Sequence, residues 1–155
     1  MMRFAPFALA LMCVACTPGS FAAPSAGAGA SVTGTVVTID VDLTKDPGGT
    51  TPAGNGAGYA PVFSTLNVGD GVRFHNSDGF THTATSIAAV TFPSAYPFTA
   101  AALTQKGTTL SGGFTSGNIT AGSTSQTLLA DKPGLYIWGC FYHYGAPMRA
   151  AIQVQ

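Results

Sequence analysis

The sequence predicts an all-β fold, a β-sandwich of seven to eight short strands in two sheets. Three observations carry that expectation. Charged residues make up only 8% of the chain and Glu is absent, against about 25% charged residues in ordinary domains. Long amphipathic helices would therefore lack side chains for their outer faces. Thr recurs throughout, and the apolar residues alternate in short runs, the period-two pattern of half-buried strands. Most of the 20 Gly and 10 Pro fall between those runs, where turns need them. At 155 residues the chain suits one domain of ordinary size. Six basic and six acidic side chains give zero net charge, which excludes the basic face of a nucleic-acid binder. A hydrophobic content of 46% with no charge excess excludes a disordered chain.

The first element is a leader. Arg3 precedes an apolar run from Ala5 to Ala15, Thr17-Pro18-Gly19 breaks it, and Ser20-Phe21-Ala22 offers small residues where signal peptidase reads. Residues 1–22 are thus expected to be a signal peptide, cleaved after Ala22, with export to the periplasm or beyond. The run is too short to span a bilayer, and nothing after residue 22 is long and apolar enough to do so. A second reading makes Cys16 a lipid anchor, because Val14-Ala15 resembles the end of a lipobox; Cys13 stands where Leu is usual. After cleavage Cys140 is the sole cysteine, an exposed liability in an oxidising compartment unless buried or metal-bound.

Residues 23–31 form a flexible lead-in rich in Ala and Gly, and residues 32–155 form the domain. Residues 32–42 alternate as a strand with one wet face, suited to an antiparallel sheet. The Gly- and Pro-rich stretch 45–60 reads as a long loop or insertion. Residues 63–68 lead into the turn Gly69-Asp70-Gly71, residues 72–75 form a short strand, 76–81 a loop, and 82–87 a weak strand. Residues 90–113 are punctuated by Pro93, Pro97 and Gly107, with one helical turn expected over 100–103. Residues 114–119 and 125–129 read as strands joined at Ala121-Gly122. A turn at 131–134 introduces strand 135–138, and residues 148–154 form the last strand.

The chemistry lies at the C-terminal end. Cys140, His143 and Met148 occur in the order Cys-x2-His-x4-Met, at the end of a strand and in the loop that follows. His82 lies just past the 76–81 turn. Two imidazoles, one thiolate and one distant thioether form the ligand set of a mononuclear blue-copper site. Soft sulfur suits Cu(I) and imidazole suits both oxidation states, so such a set compromises between their preferred geometries. Taken singly, each residue has a plainer reading: Cys140 as a small buried hydrophobe, Met148 as core, and His82 as a surface residue. Their spacing inside one β pattern joins them. By strand alternation His75 faces outward as a surface or hydrogen-bonded residue, and a second metal site there would have no obvious partner beyond Asp78. Trp138 and Phe141 are expected to pack near the metal, and Tyr142 and Tyr144 to rim it.

The segment Pro133-Gly134-x-Tyr136-x-x-x-Cys140-x-x-His143-x-Gly145-x-x-Met148 resembles the copper loop of the cupredoxin family, and of plastocyanins in particular. Asn76-x-x-Gly79-Phe80-x-His82 resembles the segment that carries their first His ligand. The resemblance runs from about residue 32 to the C-terminus. It implies a Greek-key sandwich with one copper ion at one end, ligated by His82, Cys140, His143 and Met148. Thr83 follows His82 where plastocyanins usually carry Asn, and its backbone N–H is expected to donate to the Cys140 sulfur. Pro147 before Met148 and the stretches 45–60 and 90–113 also depart from the plastocyanin pattern.

The implied function is non-enzymatic: an exported blue copper protein that shuttles single electrons between transient protein redox partners. His143 is the expected electron port, within an apolar patch of Gly145, Ala146, Pro147 and Phe80, on a monomer that binds no nucleic acid. Three His in the whole chain are too few for a multicopper oxidase, and one Cys in the loop excludes a dinuclear copper centre. Two other readings stand beside this one. A periplasmic copper chaperone or copper-storage protein would favour a Met- or His-rich tail, which the chain lacks. A metal-free sandwich acting as a binding module would need none of the four residues.

Overall fold

Residues 71–76 show how the pattern becomes structure. In strand β6 (Gly71–Asn76) Val72 and Phe74 are fully buried while Arg73 between them is exposed, so successive side chains take opposite faces. The computed structural model describes residues 31–44 and 47–155. The expected signal peptide and nearly all of the lead-in lie outside the described residues. The remaining strands are β1 (Val36–Val41), β2 (Gly49–Thr51), β3 (Gly54–Gly56), β4 (Tyr59–Ala60), β5 (Phe63–Leu66), β7 (Thr85–Ile87), β8 (Leu128–Leu129), β9 (Gly134–Gly139) and β10 (Arg149–Val154).

Two four-stranded sheets form, in the orders β4-β1-β6-β8 and β5-β10-β9-β7. Their facing sides enclose a core of Ile39, Val41, Tyr59, Val72, Phe74, Phe114, Leu128, Trp138, Ile152 and Val154. Each such side chain taken out of water contributes about 1.5–3 kcal/mol. Trp138 makes edge contacts with Phe74 and Tyr59, at centroid distances of 5.4 and 5.8 Å. The expected all-β sandwich is therefore the observed one. β10 is buried on both sides, because Ala151 joins Ile137 in a second apolar layer on the outer face, covered by Phe63, Ile87, Phe92 and Leu135.

Several expectations need correction. β1 pairs with β6 in parallel and with β4 antiparallel. β10 likewise lies parallel to β5 and antiparallel to β9, so both sheets are mixed. Stretch 45–60 is not a plain loop. Within it β2 and β3 form a small hairpin, with Thr50 opposite Asn55, and β4 joins the first sheet. Residues 114–119 do not form a strand, only isolated bridges from Thr115 to Thr85 and Lys106 and from Ile119 to His82. Gly117 adopts φ +62° there, which interrupts the extended run, and side chains add to the backbone bonds around it. Ser116 Oγ accepts from the Ala84 N–H at 2.8 Å, and Thr115 Oγ1 accepts from the Gly117 N–H at 3.0 Å. Residues 125–129 shorten to β8. The helical turn at 100–103 forms as a 3-10 helix, Ala100–Leu103.

This topology builds one functional end. β1 and β6 run in register to Val41 and Asn76, so residues 42–44 and the loop 77–82 leave the sheet side by side. β9 and β10 pair with Gly139 opposite Arg149, and the loop between them carries Cys140, His143 and Met148.

Candidate metal centre

The loop after β6 is organised by Asn76, whose side chain is fully buried. Its Nδ2 donates to the carbonyls of Phe80 and Ile119 at 2.7 and 2.8 Å, and its Oδ1 accepts from the Asp78 N–H at 2.9 Å. His82 is then pinned at the main chain. Its N–H donates to the Ile119 carbonyl at 3.1 Å, and its own carbonyl accepts from the Ile119 N–H at 2.8 Å. The ring is fully buried. On one side Nε2 meets Asp78 Oδ2 at 3.0 Å; on the other, Nδ1 faces Cys140 and His143.

The second loop closes on itself. The Cys140 N–H donates to the Met148 carbonyl at 3.0 Å, and the Ala146 and Met148 N–H groups both donate to the His143 carbonyl, at 2.9 and 3.2 Å. Cys140 and Met148 are fully buried, while His143 is partly exposed. Gly58, at φ +76°, makes room for Met148: a Cβ there would lie 2.6 Å from Met148 Cγ and 3.3 Å from Sδ.

The two loops bring three donor atoms together. Cys140 Sγ lies 3.7 Å from Nδ1 of His82 and 3.7 Å from Nδ1 of His143, and the two nitrogens are 3.1 Å apart. A point equidistant from the three atoms lies about 2.0 Å from each, close to the bond lengths of a metal in an imidazole–thiolate site. The three residues thus fit one metal ion, and the donor types suit copper. The Thr83 N–H donates to Cys140 Sγ at 3.5 Å, as expected. Thr83 Oγ1 also accepts from the Phe141 N–H at 2.9 Å, so this side chain ties the two loops together.

The electrostatics prepare the same atoms. Burial pushes the Cys140 thiol up, but His82 and the N–H groups of Thr83, Tyr142 and His143 outweigh it and hold it below its ordinary value. Burial lowers the His143 imidazole, and the neighbouring His82 lowers it further, which favours a neutral ring with a free lone pair. For His82 burial also works downward, yet Cys140 and Asp78 together raise it. Burial alone would raise the Asp78 carboxyl; His82 and the N–H groups of Leu43, Gly79 and Phe80 hold it lower.

Both stretches that lengthen the chain buttress the second loop. From 90–113, the Tyr96 hydroxyl donates to the Phe141 carbonyl, and the Tyr144 hydroxyl donates to the Pro93 carbonyl at 2.8 Å. Phe98 sets its edge against the Tyr144 ring at 5.5 Å. From 45–60, the Ala57 N–H donates to the Pro147 carbonyl at 3.2 Å and the Ala57 carbonyl accepts from the Arg149 N–H at 3.1 Å. Tyr144 is therefore buried under this strap and does not rim the centre as expected; Tyr142, which is exposed, does. Trp138 is buried core, and Phe141 packs on Tyr96. His75 bonds Thr124 Oγ1 through Nδ1 at 3.0 Å, while Asp78 serves His82. The sequence reading weighed Asp78 beside His75 and not His82, and it passed over Gly58. Asp78 had a usable signal, as one of only six acidic residues and four positions from a candidate ligand. Gly58, in a Gly-rich stretch, had none.

Among solved structures the chain is similar to several cupredoxins. A purple cupredoxin from Nitrosopumilus maritimus matches at 16% identity over 77% of this chain and 99% of that one, with a TM-score of 0.46. An oxidised plastocyanin from Dryopteris crassirhizoma matches at 17% over 77% and 100%, with 0.44. Pseudoazurin from Hyphomicrobium denitrificans matches at 22% over 77% and 74%, with 0.44. No family model and no curated protein matches the chain.

Proposed function

We propose that the chain is an exported type 1 (blue) copper protein that carries single electrons between redox partners and is not an enzyme. One observation carries this reading. Nδ1 of His82, Nδ1 of His143 and Sγ of Cys140 already face one point at bonding distance. Copper bound there would supply one-electron Cu(II)/Cu(I) chemistry. Cys140 would bind as thiolate, His82 and His143 through Nδ1, and Met148 would add a weaker thioether ligand. The chain's own contribution is rigidity. Ligands fixed from both sides by hydrogen bonds and packing move little when charge changes, which keeps the reorganisation cost low.

His143 would be the electron port. It shares a shallow surface depression with Phe80, Thr81, Asn118, Thr120 and Tyr142. Phe80 and Tyr142 are exposed aromatics, and Gly145, Ala146 and Pro147 of the same loop as His143 are also exposed. A small apolar patch suits a short-lived encounter of a monomer with its partners, and the near-zero net charge gives little long-range steering. Among the described residues no helix is long and apolar enough to cross a membrane. Export rests on the sequence of residues 1–22, with the lipid anchor at Cys16 as its alternative.

The test is retention through a redox cycle. Copper-loaded protein is reduced, reoxidised and gel-filtered beside an apo copper acceptor. A carrier recovers its Cu(II) spectrum with copper still bound; loss of copper to the acceptor would support the chaperone or storage reading instead.

A further inference from the structure

We infer that Asp78 is a positioning residue for the metal centre: its buried carboxylate fixes which nitrogen of His82 faces the metal and places a negative charge behind that ligand. The inference rests on the copper reading above. It starts from two distances at one ring, 3.0 Å from Nε2 to Asp78 Oδ2 and 3.7 Å from Nδ1 to Cys140 Sγ. An ionised carboxylate only accepts hydrogen bonds, so Nε2 must carry the hydrogen and Nδ1 keeps its lone pair toward the metal.

Asp78 is itself held in place. It is 6% exposed. Oδ2 accepts from the Leu43 N–H at 3.1 Å, Oδ1 from the Phe80 N–H at 3.4 Å, and its own N–H donates to Asn76 Oδ1 at 2.9 Å. Among the described residues His82 is the group with which it pairs as an ion. A carboxylate behind a ligating imidazole raises the basicity of that ligand. The added negative charge favours the more highly charged metal, so Asp78 should strengthen Cu(II) binding more than Cu(I) binding and lower the reduction potential. His143 has no such partner among its described contacts. The two imidazoles would then be electronically unequal.

The experiment compares wild type and Asp78→Asn by competition titration with Cu(II)- and Cu(I)-selective chelators. Asn keeps the shape and a carbonyl acceptor for Nε2–H but removes the charge. The expected result is Cu(II) affinity lowered about 10- to 100-fold, a smaller loss for Cu(I), and a correspondingly higher reduction potential. Equal losses for both ions, or none, would overturn the role of Asp78 while leaving the copper centre standing. Wild type that takes up no copper would overturn the copper reading and this role with it. A second measurement needs no variant. In zinc-loaded wild type, 15N–1H spectra should show His82 with hydrogen on Nε2, protected from exchange. Hydrogen on Nδ1 instead would overturn the inference even if Asp78→Asn fails to fold.

Discussion

The two loops that supply the metal ligands are held by different physics. The loop 76–82 is a polar structure: Asn76 and Asp78 satisfy its backbone and one face of His82, all in buried surroundings. In the loop 140–148 the side-chain hydroxyls bond outward instead, Tyr142 to Asn118 Oδ1 at 2.9 Å and Tyr144 to the Pro93 carbonyl at 2.8 Å. This loop is closed by three main-chain hydrogen bonds and strapped from outside by Tyr96, Phe98 and the hairpin end at Ala57. Buried hydrogen bonds specify one geometry and are costly to leave half made, whereas packed aromatic rings bear small losses more gradually. The first loop should therefore fail abruptly when altered and the second by degrees. His82 becomes the fixed, sealed ligand, and His143 the ligand that reaches the surface.

Removal of a ligand should have the largest effect and ignore the difference between loops. Cys140→Ser and His82→Ala should each weaken copper binding by more than the roughly 100-fold expected for an outer contact, as read by chelator competition. Glycine variants then separate the two loops. His143→Gly opens a partly exposed position, so added imidazole should restore copper binding and colour. His82→Gly leaves a hole under a sealed surface, and imidazole should restore much less. Equal rescue of both would break the proposed contrast.

Next come the supports. Asn76→Ala strands several buried groups and should lower unfolding free energy by about 2–3 kcal/mol in denaturant titration, with metal affinity falling alongside. Tyr144→Phe removes only the bond to the Pro93 carbonyl, at about 1 kcal/mol. Tyr144→Ala also empties the strap contacts, at about 3 kcal/mol or more. A larger loss for Tyr144→Phe than for Asn76→Ala would reverse the ranking of the two loops.

The smallest expected effect lies away from the metal. Asp131 accepts from the Ser111 N–H at 3.0 Å and from its hydroxyl. Burial works upward on this carboxyl, but the Ser111 contacts outweigh it and hold it below the ordinary value of 3.8. A carboxylate depressed in the folded state contributes its full stability above the unfolded value. That contribution is lost as pH falls through the lower, folded value. Asp131→Asn should therefore flatten the acid limb of the stability–pH curve below about pH 4, by less than about 1 kcal/mol because the site is partly solvated.

The contrast between the loops also explains what the sequence could reveal. Strands with strong alternation, such as Val72-Arg73-Phe74, could be read directly, and so could the Cys140, His143, Met148 spacing, because one loop between paired strands carries all three. The 45–60 hairpin could not. Its strands hold Gly, Thr and Asn with no apolar alternation, and their pairing depends on backbone bonds and on hydrogen bonds from the hydroxyls of Thr50 and Thr51. Residues 114–119 read as a strand between turn signals, but Gly117 at φ +62° breaks the extended run, and the hydroxyls of Thr115 and Ser116 take the N–H groups of Gly117 and Ala84. The strap was hidden because Tyr96 and Tyr144 lie 48 positions apart and meet only in the fold. Asp78 was visible as a residue but not as a partner, since loop geometry decides whether it turns toward His75 or His82.

The central claim is that His82, Cys140 and His143 form one copper site with Cys140 as thiolate. A Cu(II) titration followed by optical absorption tests it most directly. The account predicts an intense visible thiolate-to-Cu(II) charge-transfer band that saturates at one equivalent and is absent from Cys140→Ser. No such band in wild type, or an unchanged band in Cys140→Ser, would contradict it.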